Sequence, residues 1–339
     1  MIVFPPRGYT SGEIRIFRGM EVGGDEKELL TVVLTVKNRK ELLSETLRSI
    51  SSQRALPAGM VTLVAVDNGS TDGAYNLLEY WAVYDAPEWL RVELLTEPRR
   101  GVCTARNTGL RAARGEWVMF FDSDDSMTPD HLASVVAAIG RSGRTADLIY
   151  WDVAFAGRNG KIGIHRAVPV GDVWYNVIMR GMLSTQRYCC RRAAVVAAGG
   201  WDEELEVWND WELSVRIVAG GVSLSEKPGK PTVIVREHAD SITGSRFADK
   251  AGKREMAMDK VRSFARRNGL DRVARLTDMK GAVLAGDYAR EGEAGLGRKL
   301  IESLAGYGAV SCRKLQMIAM SERLLGRGAT LVTSVIERL

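Results

Sequence analysis

Four apolar runs, each six or seven residues long and each separated from the next by a helical stretch, constrain this chain more than any other feature. Leu30–Val36 is a continuous apolar run of the kind found in parallel strands covered on both faces, Val61–Val66 reads as a second buried strand, and Leu90–Leu95 and Glu116–Phe121 as the third and fourth. Between them, Leu42, Leu43, Leu47 and Ile50 mark the inner face of one helix, residues 72–84 form a second, and Gly101–Ala113 reads as a loop running into a third. Strand–helix alternation at this spacing predicts βαβ units and a mostly parallel sheet. Ligands bind such sheets beyond the carboxyl ends of the strands. The polar clusters fall there: Thr35 to Arg39 after the first run, Asp67 to Asp72 after the second, Asp122 to Asp125 after the fourth. Packing does not require three polar clusters on one rim, so the pattern predicts a site.

The last cluster is the densest. Asp122, Asp124 and Asp125 place three carboxylates within four residues, directly after Trp117-Val118-Met119-Phe120-Phe121. Such charges repel one another, and burying them is costly unless a cation or a dense set of donors compensates. Oxygen ligands suit Mg²⁺ or Mn²⁺, so a hard divalent ion bridging to a diphosphate is the simplest compensation. The competing account is a solvated turn in which Asp124 or Asp125 caps the helix that starts near Pro129.

From about residue 140 to 245, short strands and turns replace the alternation. Ala146–Phe155, Arg187–Arg191 and Pro231–Val235 are strand candidates, and Trp208–Ala219 reads as a helix with Trp211, Val215 and Val218 on one face. Beyond residue 247 the chain reads as helical, with breaks expected near Gly269, Gly281, Gly308 and Gly326 and hairpin character over Met279–Ala305. Ala329–Ile336 is apolar on one side and reads as core packing or a dimer contact in preference to a membrane-lying helix. Near the start, Glu13–Phe17 could form a short strand. Cys103, Cys189, Cys190 and Cys312 lack metal-ligand spacing and read as reduced packing residues of a cytoplasmic protein. Arg7, Glu13, Arg15 and Arg18 interrupt any apolar leader, and no run approaches the roughly 18 apolar residues of a membrane span. The net charge of +5 is uneven: from residue 251 onward, 17 Lys+Arg face 10 Asp+Glu, a surplus of 7 that leaves about −2 on residues 1–250. A basic tail suits an anionic surface, membrane or nucleic acid, or is a set of solvated helix faces. No basic–aromatic motif supports nucleic acid.

The polar clusters, taken in order, resemble family 2 glycosyltransferases. The residues that carry the likeness are Thr35-Val36-Lys37-Asn38-Arg39, Val66-Asp67-Asn68-Gly69-Ser70-Thr71-Asp72-Gly73, Gly101 with Ala105-Arg106-Asn107-Thr108-Gly109, and Phe121-Asp122-Ser123-Asp124-Asp125 with Pro129. It resumes at Gly199-Gly200-Trp201-Asp202-Glu203-Glu204, Asn209-Asp210-Trp211 and Arg236-Glu237-His238 with Ser241 and Thr243. The resemblance covers about residues 30–245 and implies a GT-A fold, a Rossmann-like α/β nucleotide-diphospho-sugar transferase. The expected organisation is an extension over 1–29, the GT-A domain over 30–248 and a basic helical region over 249–339.

The resemblance also implies roles. Thr35, Asn38 and Arg39 receive the nucleotide, Asp67 and Asn68 hold the base, and Arg106 reaches the phosphates or the base-side loop. Asp124 contacts the nucleotide and ribose, Asp125 and His238 hold Mn²⁺ or Mg²⁺, and Asp122 is a supporting carboxylate. Where the family commonly has a second Asp, this chain has Asn68, whose amide both accepts and donates; uridine and thymidine stay open and guanine is harder to exclude. The family's Glu-Asp pair is here Asn209-Asp210, which assigns Asp210 as general base with inversion of configuration. Trp201, Trp208 and Trp211 are expected around this base, with Trp208 and Trp211 on the acceptor side. The implied activity moves a sugar from a nucleotide donor, UDP-linked by preference, to a glycan or lipid-linked acceptor in surface polysaccharide synthesis. The expected location is the cytoplasm, at an anionic inner membrane face, with no nucleic acid. Two other readings stand beside it. Asn68 and Asn209 motivate a catalytically weak nucleotide-sugar-binding protein, and the α/β layout a sugar-1-phosphate nucleotidyltransferase, which the lack of glycine over Thr35–Arg39 disfavours.

Overall fold

The computed structural model describes residues 17–18, 28–157, 162–165, 172–238, 246–326 and 330–338. Ser241, Thr243 and all but the last residue of the expected Glu13–Phe17 strand lie outside the described residues. The chain divides into two units: Met1–Ala167 with Ser184–Glu206 and Arg216–His238, and Val168–Leu183 with Val207–Val215 and Ala239–Leu339.

The first unit holds twelve described strands: β1 (Phe17–Arg18), β2 (Leu30–Val36), β3 (Val61–Asp67), β4 (Arg91–Thr96), β5 (Trp117–Asp122), β6 (Ser126–Met127), β7 (Leu148–Tyr150), β8 (Val153–Ala156), β9 (Ile162–His165), β10 (Tyr188–Arg191), β11 (Leu224–Glu226) and β12 (Val233–Arg236). Eight form one sheet in the order β1-β4-β3-β2-β5-β10-β7-β11, and four form a second in the order β6-β12-β8-β9. The centre of the large sheet, β4-β3-β2-β5, is parallel; β10 runs antiparallel between β5 and β7. Ala146–Phe155 is therefore two strands in two sheets. The break falls at Trp151, whose backbone N–H donates to Arg187 O and whose indole N–H donates to Gln186 O.

Helices α1 (Lys40–Ser51), α2 (Ala74–Tyr84), α3 (Val102–Ala112) and α4 (His131–Ser142) belong to the first unit. The main core lies on one face of the apolar runs, where Leu43, Leu47 and Ile50 of α1 and Leu78 and Trp81 of α2 pack with Val32, Leu34, Leu63, Met119 and Phe121; on the other face Val64, Val66 and Leu95 pack with Ala105 of α3. Helix α3 lies so close to β2 that a Cβ at Gly109 would stand 2.3 Å from Val33 Cγ1. Continuous burial of β2 and β3 is what a parallel strand covered by crossover helices demands.

The second unit is helical: α5 (Val173–Arg180), α8 (Ala251–Arg267), α9 (Asp271–Arg290), α10 (Ala294–Tyr307), α11 (Cys312–Leu325) and α12 (Thr330–Arg338). Between α5 and α8 in the chain come α6 (Arg192–Ala197), of the first unit, and α7 (Asn209–Ala219). Helix α9 is buried along most of Val273 to Tyr288, Arg275 being exposed and Lys280 half-buried, and packs against α8, α10 and α11. Gly308 and Gly326 end their helices in the left-handed conformation, as expected of C-terminal glycines. Gly281 does not break a helix; it sits inside α9, where a Cβ would meet Met258 and Leu304 within 3 Å. Thr333 and Ile336 of α12 are buried and Tyr175 hydrogen-bonds Thr333, so this helix packs inward. Cys103, Cys189 and Cys190 are buried as expected of packing residues, but Cys312 is exposed at the start of α11. Among the described residues no helix is long and apolar enough to cross a membrane.

Candidate active site

Parallel strands β3, β2 and β5 end side by side, with Val36 opposite Asp67 and Thr35 opposite Asp122. Neighbouring strands lie about 4.8 Å apart, so Asp67 and Asp122 flank β2 at roughly 10 Å. The rim between them collects the clusters seen in sequence. After β2 the backbone turns through Asn38 and Arg39, both left-handed at φ 55° and 61°. Two consecutive non-glycine residues in this region store strain, which persists only where surrounding bonds impose it. Here Asn38 N–H donates to Ser70 Oγ and Asn38 Oδ1 accepts from Thr71 N–H, each at 2.8 Å. The turn aims Arg39 at Asp124, with which it pairs. Thr35 is buried beneath.

Asp67 is buried at the end of β3. Its Oδ2 accepts from the N–H groups of Gly69 and Ser70 at 3.0 and 3.1 Å, while Oδ1 has no partner among the described residues. A buried carboxylate oxygen with no donor is costly, and it is a ready acceptor for a ligand N–H. Asn68 is differently placed. Its Nδ2 donates to Glu97 O and Arg99 O at 2.8 and 2.7 Å, and its Oδ1 accepts from Gly101 N–H at 3.0 Å. Both ends of the amide hold the segment that leads into α3. Glu97, missed in the sequence, anchors the same segment. Burial alone would raise its carboxyl, but hydrogen bonds from Arg99 and Thr108 outweigh that and hold it below its usual range.

The three acids gather at the exit of β5: one ligand atom from each of Asp122, Asp124 and Asp125 lies within 4.8 Å of the others. Asp122 is held at both oxygens, by Arg106 Nη2 at 2.7 Å and Gln186 Nε2 at 2.6 Å. Arg106 is itself buried and stacks 4.3 Å above the Trp201 ring, so in this structure it braces Asp122. His238 Nε2 stands 2.8 Å from Asp124 Oδ2. Asp125 is buried and accepts from Arg236 N–H at 2.9 Å. Burial pushes its carboxyl well above the ordinary value; the charges of Asp124 and Asp122 add to this and Arg236 opposes it. Thr46, on the inner face of α1, places its hydroxyl 2.6 Å from Asp125 O and fixes the loop from below. Three clustered carboxylates, with one imidazole nitrogen beside Asp124, form a donor set rich in oxygen that fits a hard divalent cation.

Asp210 lies in the second unit, in the first turn of α7, where its Oδ1 accepts from Trp211 N–H at 2.8 Å. Trp208, just before, is left-handed at φ 56° and half-buried, with Lys280 Nζ 5.7 Å from its ring centre. Trp211 is buried and its indole N–H donates to Ile178 O at 3.1 Å, a packing position that presents no ring face to a sugar. Trp201, read in sequence with these two, is a core residue of the first unit, set edge-on to Phe120 at 5.0 Å. Gln186 and Thr46 carried no sequence signal, because each is distant in the chain from the carboxylate or loop it holds, and Glu97, though local to Arg99 and Thr108, belongs to none of the polar clusters that marked the rim.

The family described as glycosyl transferase family 2 matches residues 31–187. The uncharacterized glycosyltransferase YwdF of Bacillus subtilis (strain 168) is 30% identical over 237 residues, 68% of this chain and 82% of its own length. A PGL/p-HBAD biosynthesis glycosyltransferase of Mycobacterium bovis (strain BCG / Pasteur 1173P2) is 28% identical over 195 residues, covering 56% of this chain and 69% of its own. Among solved structures, S. aureus TarS 1-349 in complex with UDP-GlcNAc superposes with a TM-score of 0.55 at 19% identity, covering 81% of this chain and 91% of that one. The mannosyltransferase PcManGT from Pyrobaculum calidifontis, in complex with GDP-Man and Mn²⁺, gives 0.56 at 19% identity, covering 92% and 86%. These structures share the GT-A fold with this chain.

Proposed function

This chain belongs to glycosyl transferase family 2, and from that premise we propose that it moves a sugar from a uridine diphosphate donor to a hydroxyl of a glycan or lipid-linked acceptor, with inversion at the anomeric carbon. The observation that carries the donor side is Asp67: a buried carboxylate oxygen without a partner among the described residues, at the end of β3, with only β2 between it and β5, from which the acid cluster emerges. A uracil N3–H is the donor such an oxygen lacks. Guanine also offers N–H groups, and the fold takes GDP-Man in the Pyrobaculum protein and UDP-GlcNAc in the S. aureus one. Here the Asn68 amide donates inward to Glu97 and Arg99 carbonyls, so it offers guanine O6 nothing, which favours uracil.

Asp124 and Asp125, with His238, would hold the divalent ion, and Asp122 stays braced by Arg106 and Gln186. Mn²⁺ is the first choice, being the ion of the Pyrobaculum complex. Bound there, the ion supplies charge neutralisation for the departing nucleoside diphosphate. Asn38 and Arg39 border the phosphate side, and Thr35 closes the floor. Asp210 is assigned as the base that takes the acceptor hydroxyl proton, a step worth roughly 10²–10⁴-fold. Trp208 is the acceptor-side residue. A role in surface polysaccharide synthesis follows from such an acceptor. The decisive experiment incubates the protein with UDP-sugars, Mn²⁺ and acceptor candidates, wild type against Asp210→Asn. Turnover that falls by two or more orders of magnitude while donor binding persists supports the assignment; equal turnover overturns Asp210, and binding without wild-type turnover overturns transfer itself.

A further inference from the structure

Helix α11 covers α9 with Leu315, Ile318 and the buried Glu322, whose Oε1 accepts from Arg290 at 2.9 Å. Its opposite face is apolar and open. Met317, Met320 and Leu324 are 58%, 62% and 73% exposed, and with Arg313 they follow i, i+4, i+7 and i+11, one stripe along the helix. Leu325, 65% exposed, lies beside its end. Arg323 and Lys314 flank the stripe, so the solvent face of α11 carries only positive charge. Packing within the unit does not explain four exposed large apolar side chains on one helix, whereas contiguous apolar surface rimmed by charge marks an interaction face.

At the N-terminal end of the same helix lies a cavity of about 330 Å³. Its walls are cationic: Arg272 and Arg275 of α9 and Lys314 of α11, with Ser311 at the mouth. Its floor is apolar, from Leu276, Met279 and Ile336. Ser311 is the N-cap of α11, and its side chain makes no capping bond to the first-turn N–H groups. Arg272 is partly neutralised by Asp172. Basic walls over an apolar floor suit a phosphate that arrives on a hydrocarbon stem.

We propose that α11 docks this protein on an anionic phospholipid bilayer, with Met317, Met320 and Leu324 entering the interface and the cavity at its N-terminal end taking a headgroup phosphate. Charge complementarity selects this occupant: a second copy of the chain would set Arg313, Lys314 and Arg323 against the same three cations. An amphipathic helix lying in the interface plane has this composition, apolar on one side and Lys/Arg at its borders. The site is independent of the donor chemistry.

The test is co-sedimentation of the full chain with phosphatidylcholine vesicles with and without phosphatidylglycerol. Binding is expected only with phosphatidylglycerol and should fall with salt. Arg275→Gln with Lys314→Gln should weaken it about fivefold per lost cation. Met317→Gln, Met320→Gln and Leu324→Gln together should abolish it. All five positions lie on the surface or at the cavity mouth, and melting temperature checks that each variant folds. Wild type that ignores phosphatidylglycerol vesicles, binds pure phosphatidylcholine equally, or keeps its affinity in the triple variant overturns the proposal. So does light scattering that shows a dimer dissolved by the triple variant without any vesicle binding. Mn²⁺-dependent hydrolysis of the UDP-sugar, measured in the same variants without vesicles, is expected to stay unchanged, which separates failure of docking from failure of the enzymatic reading.

Discussion

Asp125 shows how position along a strand becomes chemistry. It emerges from β5 into a buried setting where Asp122 and Asp124 oppose its ionisation, so its proton is held far above the carboxylate norm. The folded protein therefore binds a proton that the unfolded chain releases near pH 4, and stability must fall as pH rises from there towards the raised value. Metal-free protein is expected to melt at lower temperature at about pH 8 than at about pH 5.5, and Asp125→Asn to flatten that slope in calorimetric scans. An ion that takes the proton's place should stabilise more as pH rises, so the Mn²⁺-induced shift in melting temperature grows from acid to neutral and vanishes in Asp125→Asn. Asp67 makes a separate prediction. Asp67→Ala removes the unpartnered acceptor and the two N–H bonds that shape Gly69 and Ser70, and UDP affinity should drop by about 10- to 100-fold, measured by titration calorimetry. The acid cluster is legible in sequence because its three carboxylates sit in one local motif. What the neighbouring side chains grip is not: the resemblance points Asn38 and Asn68 towards the nucleotide and Arg106 towards the phosphates or the base-side loop, whereas in the structure Asn38 bonds Ser70 and Thr71, Asn68 clamps the Glu97–Gly101 segment and Arg106 pairs with Asp122.

Glycines at element contacts carry the helical unit. Within α9, a Cβ at Gly286 would stand 2.5 Å from Ala319 O; on α10, a Cβ at Gly297 would stand 2.6 Å from Ala285 O. Both obstacles are backbone, which cannot rotate away. Gly→Ala inside a helix ordinarily stabilises by about 1 kcal/mol, but overpacking here should reverse the sign and cost about 1–3 kcal/mol. Gly286→Ala and Gly297→Ala are each expected to lower the urea midpoint without changing helical content by circular dichroism, whereas Gly295→Ala, with open space around it, should raise it. The sequence pattern misread Gly281 for the same reason. A glycine's helix-breaking tendency is local, and the close approach of Met258 and Leu304 that requires it is not visible in one segment. The apolar stretch 329–336 packs through Thr333 and Ile336, in line with the core packing expected of it, and the exposed apolar stripe is on α11.

At the scale of the molecule, binding energy and fold stability are one balance. UDP with Mn²⁺ at about 100 times its Kd should stabilise the full chain by about 2.7 kcal/mol, and a panel of nucleoside diphosphates ranked by melting temperature should place UDP above GDP and dTDP. GDP in first place would move the base assignment away from Asp67. The sequence alone determined the class of the first unit. Continuous apolar runs with intervening amphipathic helices have few ways to bury both faces, and a parallel sheet brings every carboxyl end to one rim, so the order of motifs was enough to locate β2, β3, β4 and β5 within about a residue and to name the acids between them. The tertiary structure alone decided which donors answer those acids, how 168–183 and 207–215 group with the C-terminal helices, and which helix keeps an apolar face in water. The reason is distance in the chain: periodicity and local motifs are set by neighbours a few residues away, while Gln186 on Asp122, Asn68 on Arg99, Gly297 on Ala285 and the open side of α11 exist only once segments far apart in sequence have packed.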